Sequence, residues 1–511
     1  KEALKKLPIK LDFKPESHSE GSATYFREFL REFMKNWVKT HLKDDGTEYD
    51  LYRDGLKIYT TIDSKMQQYA EEAVAEHLKN LQKEFFKAAE GKENAPFVDI
   101  TPEQTNQIML QAKKNSERWR KMDLNGKSEE EILKSFDVPA KMKIFTYEGE
   151  KDTLMKPTDS IIYYKHMLQT GMMAMEPRNG HIKAWVGGVN YKYFQYDHVG
   201  QGARQVGSTF KPFLYATAIE QLGMSPCDSI IDSYFTMPKG KWGIDADWSP
   251  KNSDGNYRGT TPLQSALANS INTVSAKLID RVGPQAVVDM VKELGVTSNI
   301  PVQPSIALGA VDITVEEMVG AMSTFANQGV YIKPTFIIKI EDKNGVVIDQ
   351  PTPYQKDVVN KDVAYTVVKL MEGVTKFGTG ARLNYGGVGF VQYDYSFGNP
   401  IAGKTGTSQN NSDGWFIGMV PNLATGIWVG NEDRSAHFRA TRLGQGATMA
   451  LPIWGIFMKK CYGDTDLDVS KEPFERPDDL KIKVDCWTPK KVVDTTATAP
   501  TDEPDMNEFG L

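Results

Sequence analysis

Gln205-Val206-Gly207-Ser208-Thr209-Phe210-Lys211-Pro212 is the stretch from which the rest of the chain is read. Ser208 is the only serine in the sequence with a lysine three residues on. A serine hydroxyl is too weakly acidic to attack an amide unaided and needs an adjacent base. On a helix, a lysine at i+3 shares the serine's face and can be that base. Proline is tolerated in the first turn of a helix, so Pro212 predicts that Ser208 stands at a helix start. There the free N–H groups and the helix dipole favour negative charge on an alkoxide or an oxyanion.

Two further motifs follow downstream. Ser270-Ile271-Asn272 falls between predicted helices at about 262–269 and 273–282. Its hydroxyl suits proton relay from Lys211 to a leaving amine, and the Asn272 amide suits a substrate carbonyl or the lysine. Lys404-Thr405-Gly406-Thr407 sits in a strand-like context. Lys404 supplies a cation, and the Thr405 and Thr407 hydroxyls can bond a carboxylate. Gly406 leaves room for another backbone along the strand. The Thr407 and Ser208 N–H groups can form an oxyanion hole. Alone, each motif has a plainer reading: a chance SxxK, an N-cap serine, a turn. Ser408-Gln409-Asn410 offers a rival SxN but follows the KTG strand, out of order. In the order SxxK, SxN, KTG, the three form a serine acyltransferase signature. The base must be neutral to act. Burial and the nearby Lys404 are expected to bring Lys211 down from about 10.4 toward about 7–8.

The remaining composition narrows the classes. The net charge of −6 over 511 residues gives no basic footprint for nucleic acid. Seven histidines (His18, His41, His77, His166, His181, His198, His437) show no metal-ligand spacing, and no metal or other cofactor is expected. Cys227, Cys461 and Cys486 form no CxxC pair, so neither zinc nor a disulfide framework is expected. There is no P-loop and no GxSxG elbow. Glu432-Asp433 with His437 resembles an acidic catalytic motif, but it lies in a predicted loop and reads as a solvated or rim cluster. No run approaches the roughly 18 apolar residues of a membrane span. The chain begins on Lys-Glu-Ala and reads as a piece of something longer.

Periodicity sets the layout. Residues 23–41 form an amphipathic helix, 55–62 alternate like a strand, and 64–90 form a long helix. Helices are predicted at about 102–121 and 128–136, with a strand at 143–146. Pro177-Arg178-Asn179-Gly180 and Asn344-Gly345 mark two hairpins. Thr261-Pro262-Leu263-Gln264 and Thr314-Val315-Glu316-Glu317 each read as a capping box, the second helix closing at Gly329. Strands at 401–407, 414–420 and 426–429 complete an antiparallel sheet flanked by helices, an α+β fold. The expected division is a linker at 1–62, a helical insertion or pedestal at 63–167, the catalytic domain at 168–465, and a tail at 466–511. Residues 491–511 are expected to be disordered.

Gln205-Val206-Gly207-Ser208-Thr209-Phe210-Lys211-Pro212, Ala268-Asn269-Ser270-Ile271-Asn272-Thr273, Ala402-Gly403-Lys404-Thr405-Gly406-Thr407-Ser408, Asp413-Gly414-Trp415-Phe416-Ile417-Gly418 and Ile427-Trp428-Val429-Gly430 resemble class A penicillin-binding proteins, closely over about 168–462 and with no family counterpart assigned to the insertion at 91–160. Leu7-Pro8-Ile9-Lys10-Leu11 and Tyr25-Phe26-Arg27-Glu28 resemble that family's connection between its two enzymatic domains. The resemblance implies a periplasmic transpeptidase that cross-links peptidoglycan. Ser208 would attack a D-Ala-D-Ala stem peptide, release D-Ala and pass the acyl group to a neighbouring amine. β-Lactams would acylate the same serine. The resemblance also implies a membrane helix and a lipid II glycosyltransferase domain outside the present sequence. The alternatives are a DD-carboxypeptidase, a β-lactamase and a β-lactam sensor. A class A β-lactamase would need a glutamate in an ExxLN-like context. Glu293, Glu316, Glu317 and Glu372 have other neighbours.

Overall fold

Residues 21–486 are described by a computed structural model. Leu7–Leu11, His18 and the tail at 491–511 lie outside the described residues. Helix α1 (Thr24–Thr40) carries the predicted apolar face. It lays Phe26 and Phe29 on Trp185, the Phe29 ring stacking at 4.7 Å. Strand β1 (Lys57–Thr60) does not end in the linker. It pairs antiparallel with Ile337–Glu341, nearly 300 residues away in sequence. Helix α2 (Ser64–Ala89) is N-capped by Asp63, whose carboxylate accepts from the Lys65 and Met66 N–H groups. Its buried face includes His77, held between the Tyr393 hydroxyl and the Thr448 carbonyl. Burial pushes that imidazole down to about 4, so it is a neutral core residue.

The middle segment is helical at first and then a hairpin. The single helix expected at 102–121 is two, α3 (Pro102–Asn115) and α4 (Glu117–Leu124). Ser116 has extended backbone, and its side chain caps α4 by accepting from the Trp119 N–H. A serine that offers its oxygen to the backbone starts a new helix rather than continuing an old one. Helix α5 (Glu129–Ser135), strands β2 (Ala140–Thr146) and β3 (Gly149–Met155) and helix α6 (Pro157–Lys165) follow. The sequence reading missed α6.

The remaining elements surround one sheet. They include, in chain order, β4 (Leu168–Met175), β5 (Ile182–Val186), α7 (Lys211–Leu222), β6 (Ser229–Asp232), β7 (Gly259–Pro262), α8 (Leu263–Ala268) and α9 (Asn272–Val282). Then come α10 (Val315–Ala326), β8 (Ile337–Glu341), β9 (Val347–Asp349), α11 (Lys361–Lys376), β10 (Ala402–Thr407), β11 (Asp413–Val420), β12 (Leu423–Asn431) and α12 (Leu451–Gly463). The five-stranded sheet has the order β10-β11-β12-β4-β5, antiparallel throughout. Every residue of β4, β11 and β12 is buried, because both faces are covered. Side chains alternate between the faces. Met173, Met175, Trp415, Ile417 and Trp428 join the core beneath α7, α10 and α11. Met172, Phe416, Ile427 and Val429 join the core beneath α2 and α12. The α+β expectation holds.

Both predicted hairpins form, with Gly180 and Gly345 at positive φ. The Thr314 capping box forms with Glu317. The one at Thr261 does not. Thr261 belongs to β7, its hydroxyl donates to the Gly259 carbonyl, and Pro262 precedes α8 without a side-chain cap. Strand pairing with β6 took the residues that local pattern assigned to a helix start. The cysteine expectation is also corrected: Cys227 and Cys486 form a disulfide that ties the chain after α12 to the loop before β6. Cys461 is free and buried.

Candidate active site

Ser208 lies in a single 3-10 turn, Gly207–Phe210, that runs straight into α7. Pro212 occupies the first turn, as its fixed φ and missing N–H allow. Gly207 has φ +53, and a Cβ there would stand 2.6 Å from the Thr407 carbonyl oxygen. Only glycine lets the nucleophile turn approach the β10 backbone this closely. Gly406 serves the same contact from the other side. A Cβ on it would meet the Val206 carbonyl oxygen at 2.6 Å and Thr209 Cγ2 at 2.9 Å. The backbone admitted by Gly406 is therefore the chain's own, and Gly406 is not among the residues lining the cavity.

The two lysines meet on one serine. Lys211 Nζ donates to the Ser270 carbonyl at 2.6 Å, to Asn272 Oδ1 at 2.8 Å and to Ser270 Oγ at 3.2 Å. Lys404 Nζ donates to the same Ser270 Oγ at 3.1 Å and to the Thr405 carbonyl at 3.0 Å. Both lysines are completely buried. Burial first, and the Lys404 charge second, hold Lys211 well below the usual lysine value. Burial alone brings Lys404 down to about 7. Ser270 has φ +55, a left-handed conformation that side chains rarely adopt. Such strain, of about 1–3 kcal/mol, concentrates at functional sites. The Ser208 hydroxyl has no hydrogen-bond partner among the described residues. It faces a cavity of about 380 Å³ that Ser270, Asn272, Thr405 and Thr407 also line.

The surroundings fix these groups. The Thr405 hydroxyl lies 2.6 Å from that of Thr379. The Gly446 N–H donates to Thr407 Oγ1 at 3.0 Å, which leaves the Thr407 proton free to point into the cavity. Asn252 caps α9 from outside, its Oδ1 accepting from the Asn272 and Thr273 N–H groups at 3.0 and 3.2 Å. Behind β10, the buried Arg204 donates to Asp413 Oδ1 at 2.8 Å, and Trp428 Nε1 donates to the same oxygen at 3.0 Å. Asp413 also accepts from Ser412 Oγ at 2.6 Å. Its N–H donates to Ser408 Oγ at 2.9 Å, pinning the turn that leaves the KTG strand. The rival serine, Ser408, thus serves that turn.

A family model described as the penicillin-binding protein transpeptidase domain matches residues 170–441. The chain belongs to this family. The transpeptidase match contains all three motifs, and residues 92–168 match a second family model, the penicillin-binding protein middle domain. The curated relative "Penicillin-binding protein 1A" from Aquifex aeolicus is 30% identical over 444 residues, covering 82% of this chain and 56% of the relative. The chain spans about half the length of the curated relatives it matches. Among solved structures, penicillin-binding protein 1A from Haemophilus influenzae aligns with a TM-score of 0.63 at 21% identity, covering 92% of this chain and 74% of that one. The PonA1 protein from Mycobacterium tuberculosis in complex with penicillin V aligns with a TM-score of 0.58 at 22% identity, covering 92% of this chain and 100% of that one.

Of the eight site residues predicted from sequence, Ser208, Ser270, Asn272, Thr405 and Thr407 line one cleft, Lys211 and Lys404 lie buried against Ser270, and Gly406 packs on Val206 and Thr209 instead. Four residues were missed. Thr379 stands between Gly378 and Gly380, and that spacing was the only local signal for it. Gly446, Asn252 and Arg204 had none. The Glu432-Asp433 pair binds Lys165 at 3.0 and 2.6 Å, and His437 Nδ1 lies 3.1 Å from the Phe438 carbonyl. None of the three lines the cleft.

Proposed function

We propose that Ser208 is the nucleophile of a penicillin-sensitive DD-transpeptidase that cross-links peptidoglycan. The observation that carries the reading is the Lys211–Ser270–Lys404 bridge, two buried lysines joined through one hydroxyl beside the serine. Lys211, kept neutral by burial, takes the Ser208 proton as Ser208 Oγ attacks the carbonyl before the terminal D-Ala. Catalytic hydrogen bonds of this kind are often long without substrate and tighten in the complex. The Ser208 and Thr407 N–H groups hold the oxyanion. The proton passes through the Ser270 hydroxyl to the departing D-Ala amine, leaving an ester on Ser208. An amine of a neighbouring stem then attacks that ester by the reverse route. Asn272 keeps Lys211 in place. Thr405 and Thr407 receive the terminal carboxylate, with the Lys404 charge beneath them.

The same acylation by β-lactams traps the enzyme, because among the described residues that line the cleft none is a carboxylate able to direct water at the ester. The work is expected on the outer face of the bacterial cytoplasmic membrane. Residues 168–465 form the catalytic unit, with 1–62 and 63–167 as linker and pedestal and 466–511 as a tail. Intact mass after exposure to benzylpenicillin tests the reading. One stable adduct, lost in Ser208→Ala, is expected. Free protein with hydrolysed drug would instead make the chain a β-lactamase.

A further inference from the structure

The cleft is built almost wholly of neutral groups at its surface. Lys211 and Lys404 lie beneath it, fully buried. Among the described residues that line it, Lys251 is the only charged one. It sits on the excursion between β6 and β7, on the side of Ser270 and Asn272, across from the KTG strand. That is the side on which the acyl portion of a donor lies, if its terminal carboxylate lies against Thr405 and Thr407.

The position of Lys251 is fixed although its side chain is exposed. Its carbonyl accepts from Asn272 Nδ2 at 2.9 Å. The next residue, Asn252, is locked by the α9 N-terminus on one side and by Asp232 at 2.8 Å on the other. Asp232 is itself completed by the Thr273 hydroxyl and the Arg258 N–H. The backbone at 251 therefore cannot drift from the SxN motif. The ammonium, by contrast, makes no hydrogen bond or ion pair among the described residues. Lysines elsewhere on the surface commonly do, as Lys121, Lys134 and Lys241 show. A held backbone bearing an uncommitted cation at a neutral rim is an arrangement that reads charge on the incoming ligand.

We propose that Lys251 is a specificity residue of this cleft and favours acyl donors that carry a carboxylate on their acyl portion, away from the scissile bond. The inference rests on the transpeptidase reading above. It adds a second carboxylate to the first one held at Thr405 and Thr407, and assigns it a separate partner. The charge acts before chemistry, on encounter and binding, so it changes KM or the second-order acylation constant rather than the rate of the bound complex.

Carbenicillin and benzylpenicillin provide the test, since they differ by one carboxylate on the acyl side chain. The second-order constants for acylation of Ser208 by the two drugs are measured by intact mass in wild type, Lys251→Met and Lys251→Glu. The expected result is a carbenicillin-to-benzylpenicillin ratio that falls about five-fold in Lys251→Met, the scale of an exposed ion pair. The ratio falls further in Lys251→Glu, and added salt erodes the wild-type preference. A ratio unchanged in both variants overturns the inference while leaving the transpeptidase reading intact. Failure of benzylpenicillin to acylate wild-type Ser208 overturns that reading and the inference with it. A matching pair of acyl-donor peptides, with and without the acyl-side carboxylate, must split the same way in KM.

Discussion

Helices α3 and α4 of the middle segment bury none of their residues, whereas strands β4, β11 and β12 of the central sheet expose none. Lysines in the two regions behave as opposites. Lys121 on α4 meets Glu117 one turn back at 2.7 Å, with both side chains about 70% exposed. Water screens that pair, which gives little stability. Lys211 and Lys404 have no carboxylate partner among the described residues, only the Ser270 and Thr405 carbonyls, the Asn272 amide and the Ser270 hydroxyl. Burial makes their charged forms costly, which readies Lys211 to accept a proton. The chemistry of a lysine here is set by the layer it lies in.

The sharpest way to break this comparison is to remove the dry lysine. Lys211→Met should lower the rate of acylation by benzylpenicillin about 10²–10⁴-fold, the usual range for a lost general base. Folding is checked in parallel by circular dichroism. An acylation rate within a few-fold of wild type would mean that Lys211 only fills space. The second test removes a buried cation that does have a partner. Arg204→Met leaves Asp413 buried without its charge, and breaking such a pair costs about 3–5 kcal/mol. The loss should appear as a lower denaturation midpoint. A neutral result would show that the Trp428 and Ser412 hydrogen bonds suffice for Asp413.

The residues in these two tests differ in how visible they were. SxxK and KTG are short-range patterns, and the geometry they specify follows from helix and strand spacing alone. The strand alternation that divides Met172 from Met173 was equally local. Arg204 and Asp413 are 209 residues apart, and nothing near either one announces the other. The same holds for β1 against β8 and for Cys227 with Cys486, which are 259 residues apart. Thr261 shows the converse. A good local signal for a helix cap was overridden once β6 supplied a strand partner. Asn252 capping α9 is a cap delivered from a distant loop, which no reading of the helix's own sequence can find.

A pH series separates burial from pairing. Lys404 in the folded protein loses its proton near about 7, below the unfolded value of about 10.4. Between those values the unfolded chain binds more protons, so stability rises with pH across that window. The penalty is complete below the folded value and gone above the unfolded one. Urea midpoints at pH 7 and 9.5 should therefore rise in wild type, and rise less in Lys404→Met. A flat wild-type profile would mean that the Ser270 and Thr405 contacts keep Lys404 charged despite its burial.

The smallest effect belongs to the wet region. Glu117→Ala removes the partner of Lys121 on a helix that buries nothing. Its unfolding midpoint and its acylation rate should both match wild type, and the midpoint should stay matched when salt is raised. The argument is one of reference states: Lys121 is as well solvated alone as beside Glu117, so removing the glutamate strands no charge. Removing Asp413 from Arg204 would strand one, in a place that water does not reach. If Glu117→Ala did lower the midpoint, α4 would have to be less exposed in solution than its side chains here, and the division between a dry catalytic layer and a wet middle segment would fail at that helix.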